Sequence, residues 1–204
     1  KHINTWNDNN YLEIVSAMNI VGDPNVPKEK IVVGGIYFKE GIQGNCLLRN
    51  LTIRSLRTGV LAESSFTMED VIIEKCAGSG VITSGTECVG RCIDVEVRTC
   101  GRCGLLARAG SSIKLMGLFG DKTRVHDNCT TGESDDYGLK VMGSSATIQL
   151  VSPLTKEQAS FGNGGGGNWG ASYGADTDQI QNIGSILSSS ESKSSKIKKL
   201  LRFW

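Results

Sequence analysis

The feature that most constrains this chain is a column of glycine followed by an aliphatic residue: Gly35-Ile36, Gly59-Val60, Gly80-Val81, Gly104-Leu105 and Gly138-Leu139. A second column places alternating aliphatics ahead of the middle glycines, at Leu51/Ile53, Val71/Ile73 and Val95/Val97. A third is a small polar corner, Ser64-Ser65, Ser111-Ser112 and Ser144-Ser145, each followed by apolar residues at two-residue spacing (Phe66/Met68, Ile113/Leu115, Ala146/Ile148/Leu150). The columns keep one order in every unit, as internal repeats do. Each unit has room only for short strands, and no apolar run has helical length. Alternation at period two turns one face inward, and units this small bury it only by stacking on their neighbours.

These patterns predict an all-β fold, a right-handed parallel β-helix solenoid of about five to six coils with a flexible C-terminal tail. The first coil is expected from Ala17–Val21, Ile31–Val33 and Ile36–Phe38, the last near residue 165. Residues 1–172 are then the β-helix with an N-terminal cap, and 173–204 a Ser-rich linker and basic amphipathic tail. The stretch 130–136 reads as a corner loop. Cys76, Cys100 and Asn128, each three residues after an inward aliphatic, predict an internal ladder of small hydrogen-bonding side chains.

The chain resembles the pectate-lyase-like β-helix repeat proteins over Asn50–Gly110. With 148–157 and the Gly-rich, Asn-Trp-Gly-containing 164–170, it is similar to β-helix repeat proteins abundant in algae. The resemblance spans roughly 15–172. It implies the fold and leaves activity open, because lyases, hydrolases, epimerases, tailspikes and non-enzymatic scaffolds share it. Its algal side implies a peripheral subunit of an organellar assembly, plastid by expectation.

A lyase on this scaffold needs clustered carboxylates for a cation beside a basic residue, and a hydrolase a carboxylate pair. The candidates are Asp121, Arg124, His126, Asp127, Glu133, Asp135 and Asp136. No carboxylate column repeats at the coil period. Glu63, Glu74 and Glu96 alternate with Arg54, Arg57, Lys75, Arg98 and Arg102, which reads as a solvated face with weak cross-strand ion pairs. Cys88/Cys92 and Cys100/Cys103 have zinc-like spacings. The intervening strand, Ile93–Val97, is expected to hold the pairs about 20 Å apart, so neither zinc nor any other cofactor is expected. The odd count of seven cysteines rules out a fully paired disulfide set and suggests a reducing compartment. The sequons at Asn50 and Asn128 read as chance. Gly162–Gly170 lacks the residues of a phosphate loop and reads as a flexible cap, with Trp169 plugging the open end.

With 22 Lys+Arg against 21 Asp+Glu, nothing marks a dedicated nucleic-acid binder. No apolar run reaches the roughly 20 residues that span a bilayer. Lys1 opens a polar stretch with neither an initiator Met nor a signal-peptide pattern, suggesting a processed terminus. After the Ser-rich 185–195, Ile197, Leu200, Leu201 and Trp204 share one helical face, with Lys198, Lys199 and Arg202 opposite and Phe203 beside the terminus. Ile197, Lys198, Lys199, Leu200, Leu201, Arg202, Phe203 and Trp204 are therefore the expected partner-binding residues, on a hetero-oligomeric protein assembly or peripherally on an anionic membrane surface. The functional expectation is a non-catalytic structural or accessory subunit that uses its β-helix faces and tail. The alternative is a carbohydrate-binding or polysaccharide-active protein, signalled by aromatics such as Trp6, Tyr11, Tyr37 and Tyr137 in a groove. End-to-end self-assembly is a third expectation, dependent on how the ends are capped.

Overall fold

The computed structural model describes residues 11–117 and 122–184. They form a parallel β-helix, so the expected fold class holds. The first coil comprises β1 (Tyr11–Ile14), β2 (Asn19–Val21) and β3 (Val32–Val33). The second has β4 (Gly35–Phe38) and β5 (Leu47–Ile53), the third β6 (Val60–Ala62) and β7 (Phe66–Glu74). The fourth and fifth have three strands each: β8 (Val81–Ser84), β9 (Val89–Ile93) and β10 (Glu96–Arg98), then β11 (Leu105–Arg108), β12 (Ser112–Met116) and β13 (Arg124–His126). The sixth holds β14 (Tyr137–Met142), β15 (Thr147–Val151) and β16 (Ser160–Phe161), and a partial seventh holds β17 (Gly167–Ser172) and β18 (Ile180–Ile183).

One face is a seven-stranded sheet in the order β1-β4-β6-β8-β11-β14-β17. The other strands form an eleven-stranded sheet, bent lengthwise into a second and a third face. The hinge is a column of left-handed residues, Asn50, Asp70 and Asp94, each with φ of 52°. Asn and Asp tolerate this region because their short polar side chains bond locally. The strand expected over Ile93–Val97 is accordingly two, β9 and β10, meeting at Asp94. Coils 1, 5 and 6 insert longer segments at this same hinge. In the first coil the segment carries a 3-10 turn at Lys28–Lys30 that lies outside β5, where the Thr52 hydroxyl donates to the Lys28 carbonyl at 2.9 Å.

The solenoid is longer at both ends than the sequence suggests. The first coil is already under way over Tyr11–Ile14, ahead of the start near residue 17 that the sequence suggests. Parallel pairing also runs past 172, because Ile180–Ile183 of β18 registers on Ile148–Val151 of β15. Gly162–Gly170 is no flexible cap: Asn163 is a rung of the internal ladder, and Gly167–Ser172 pairs with β14.

Inward columns make the core. Leu12, Ile36, Val60, Val81, Leu105, Leu139 and Trp169 follow one another through the first face, coil by coil. Leu51/Ile53, Val71/Ile73 and Val95/Val97 are all buried, as the alternation predicts. The Phe38 and Phe66 rings stack at 5.2 Å, and Gly90 lies in register with Phe66, where an added Cβ would come 2.9 Å from its ring. The repeating glycines answer a similar crowding. A Cβ on Gly59, Gly80 or Gly104 would lie 2.6–2.7 Å from the carbonyl oxygen of the next glycine in the column, inside van der Waals contact.

The ladder runs at the corner from the third face to the first. Asn128 accepts from the Cys100 amide at 3.1 Å and donates to the Val97 carbonyl at 3.0 Å. Asn163 repeats the arrangement one coil on, accepting from the Asn128 amide at 3.1 Å and donating to the Val125 carbonyl at 3.0 Å. Lys75, Thr99, Asp127 and Gly162, each immediately before a rung, all have φ between 52° and 64°.

Candidate functional site

Three clusters of hydrogen-bonded titratable side chains stand out among the described residues. The first lies on the outer side of the third face. Register places Glu74 beside Arg98 and Arg98 beside His126, with Phe161 next. Glu74 is only 5% exposed, so at this position the solvated face with weak ion pairs expected from the sequence is corrected, while Arg54, Arg57, Lys75 and Arg102 are exposed as expected. Arg54 donates to Glu74 Oε1 from Nε at 2.9 Å and Nη2 at 2.5 Å. Arg98 donates to Oε2 from Nε at 2.9 Å and Nη2 at 2.8 Å. Burial pushes the Glu74 carboxyl up, but the hydrogen bonds and charges of Arg98 and Arg54 outweigh it and hold it below the usual range. Glu96 bridges Arg98 Nη1 at 3.1 Å and His126 Nε2 at 3.0 Å, and His126 Nδ1 lies 2.8 Å from Asp127. Phe161 stacks on the imidazole, with centroids 5.1 Å apart.

The second cluster occupies the corner between coils 5 and 6. Buried Asp136 accepts from Arg102 Nε at 3.0 Å and from the Cys103 thiol at 3.2 Å. Burial and the neighbouring carboxylate push Cys103 up to about 12. Lys140, almost wholly buried, donates to Asp135 Oδ2 at 2.8 Å and to the Asp135 carbonyl, with its ammonium 6.0 Å from the Tyr137 ring centroid. Of the expected corner loop, Glu133 is exposed, while Asp135 and Asp136 are tied down by cations.

The third cluster is on the outer side of the first face. The Tyr37 hydroxyl bonds Glu63, and that bond, with burial, raises the phenol to about 12. Lys39 pairs with Glu13 at 3.3 Å and lies 5.2 Å from the Tyr37 ring. Tyr11 meets Tyr37 edge to face at 6.3 Å, but is buried and takes the Thr58 amide on its hydroxyl at 3.1 Å. Tyr137 belongs to β14, four strands along the same face from β4. These aromatics do not line one groove.

All seven cysteines are free and buried. Among the described residues no group of three or more His, Cys, Asp or Glu side chains is arranged to hold a metal ion. Cys88 caps the corner into the second face, donating to the Ser64 carbonyl at 3.4 Å, and Cys92 is a core residue of β9. Cys100 is a ladder rung and Cys103 the partner of Asp136. Asn128 is buried within the ladder, and Asn50 donates to the Asp23 carbonyl at 2.8 Å, so both sequon amides are engaged. Arg124 is exposed on β13, beside the first cluster, and Asp121 lies outside the described residues. So do Trp6 and the expected partner-binding residues Ile197, Lys198, Lys199, Leu200, Leu201, Arg202, Phe203 and Trp204. Trp169 does lie at the open end, in the inward column over Leu139, with the Lys156 ammonium 5.8 Å from its ring centroid.

Two features escaped the sequence reading. The Arg102–Asp136 pair spans 34 residues, and the longest Gly-to-Gly interval, from 104 to 138, was the available sign that this corner is built differently. Asn163 could have been found as the next asparagine at the ladder position, three residues after Ser160. Set against known proteins, the chain matches no family model, and no curated protein and no solved structure is similar to it at a significant level. Its architecture alone places it, as a parallel β-helix.

Proposed function

We propose that the chain is a non-catalytic structural or accessory subunit that binds a larger protein assembly through its β-helix faces and the basic amphipathic segment 197–204. The finer kinship to pectate-lyase-like repeat proteins of the algal kind belongs to the same proposal. The observation that carries the reading is the commitment of the charged clusters to internal bonding. Glu74 is chelated by two guanidiniums, Asp136 by Arg102 and Cys103, and Lys140 by Asp135. Groups saturated in this way fix a surface in shape and charge, which suits docking better than proton transfer. The segment 197–204 adds an apolar face that a partner groove would order.

The test is affinity purification with the full chain and with the same chain carrying Leu200→Asp and Leu201→Asp. The reading expects a defined protein set with the first and its loss with the second. Retention of the same set by both would remove the tail from the reading. Capture of no protein, with binding to anionic vesicles or to a glycan array instead, would overturn the subunit role.

A further inference from the structure

We propose that the outer side of the first face is a self-association surface, and that its occupant is the same face of a second copy, turned about a two-fold axis that crosses β8. It stands apart from the subunit reading. Alternation sends every second residue of a strand outward, and the register lines up Tyr37, Leu61, Ile82, Leu106 and Lys140 as one outward column. Its centre is three aliphatics in a row. Leu61 and Ile82 are partly exposed and Leu106 is 8% exposed, so covering the row withdraws further apolar surface from water. A second outward column beside it holds Glu63, Ser84 and Arg108. Ser84 pairs with Arg108, and Glu63 follows Ala62 as Ser84 follows Thr83, the partner of Ala62. Two coils, about 10 Å, separate the Glu63 and Arg108 backbones, with a neutral serine between them. Tyr37 bonds Glu63 Oε2, and among the described residues neither Glu63 Oε1 nor the exposed Arg108 guanidinium is bonded.

Charge and overlap choose the same occupant. A two-fold axis lying in the interface along β8 sets the copies antiparallel, so the coil before β8 in one meets the coil after it in the other. Glu63 of each copy then faces Arg108 of the other, while Leu61 meets Leu106 and Ile82 meets Ile82. Further out, Tyr37 comes against Lys140 and Lys39 against Met142, and in these two columns no like charges stand opposite each other. A two-fold along the solenoid axis, with the same columns in contact, would instead set Glu63 on Glu63 and Arg108 on Arg108. β8 is also the middle strand of the seven, so the axis that matches the charges overlaps the whole face. Seven strands about 4.8 Å apart, with about five residues each at ~3.3 Å, give roughly 500 Å² per copy. The total of about 1,000 Å² is the least that a specific interface needs. The contact is isologous and closes at two copies.

The test is light scattering coupled to gel filtration on the full chain over a wide concentration range, with far-ultraviolet circular dichroism as the check on folding. The original should run at twice the chain mass. Arg108→Glu, at an exposed position, and Ile82→Asp, on the axis, should each run at the single-chain mass. Glu63→Arg combined with Arg108→Glu restores opposite charges across the axis and should return the dimer. A single-chain mass for the original at every concentration, as a face kept for a different protein would give, would overturn the proposal. So would masses that keep growing, a dimer that Arg108→Glu and Ile82→Asp both leave intact, or a folded double swap that stays at the single-chain mass.

Discussion

Glu74 ties three coils together on the outer side of the third face. It sits in a column where neighbours one coil away on either side are arginines, and it presents one carboxylate oxygen to each. Breaking a paired, nearly buried charge leaves two guanidiniums without their acceptor. Glu74→Gln should cost about 2 kcal/mol, the range for hydrogen bonds to a charged group, read as a lower urea midpoint at neutral pH. Because the folded carboxyl titrates below its ordinary value, its contribution is complete above the unfolded glutamate pKa of about 4.3 and disappears as pH falls through the depressed folded value. The original chain should therefore lose stability on acidification more steeply than E74Q. Parallel acid limbs would mean that Glu74 is not held by its arginines. The sequence showed Glu74 alternating with Arg54 and Arg98, but not that both arginines close on one buried carboxylate. Arg54 and Arg98 stand 20 and 24 residues away, and only the register of three coils shows that they converge on one carboxylate.

At the scale of the coil, the glycine column was the plainest mark in the sequence, but its reason lies in the packing. Gly80 has an ordinary φ, and what forbids a side chain is the closeness of Val97 Cγ1 at 2.4 Å and the Gly104 carbonyl at 2.6 Å from an added Cβ. Gly80→Ala should then destabilise by about 1–3 kcal/mol, the range for overpacked cores. A shift under about 0.5 kcal/mol, typical of surface positions, would show that neighbouring coils are not so tightly stacked. The ladder was legible for a related reason: Cys76, Cys100 and Asn128 each follow an inward aliphatic at a fixed offset of three. The hinge at Asn50, Asp70 and Asp94 was not, because a left-handed residue within a strand breaks the alternation only locally. The seventh coil was hidden by its composition. β17 and β18 contain Gly, Asn, Gln and Ser where earlier coils have aliphatics, and pairing alone assigns them.

Across the whole molecule four of the buried thiols form a distributed alkaline limit. Burial is the main force raising Cys88 and Cys129 to about 11 and Cys92 and Cys103 to about 12. A group raised in the folded state contributes stability that is complete below its unfolded pKa, about 8.5 for a thiol, and is lost as pH rises through the folded value. The denaturation midpoint should fall steadily from about pH 8.5 upward. Ultraviolet thiolate absorbance at that pH should therefore rise on unfolding by the share of Cys88, Cys92, Cys103 and Cys129. No rise on unfolding at about pH 8.5 would mean that these four thiols are open to water in the folded chain.

The strict order of strands in the first face, each paired only with its neighbours before and after in the chain, also bears on how the fold is reached. Each strand pairing in that face closes a loop of about one coil, so the entropy of closure is nearly the same for each step and does not grow with the number of coils. A coil that has formed offers a finished edge to the next one and needs nothing from coils further along. The described coils can therefore be laid down in order as the chain leaves the ribosome, each coil templating its successor.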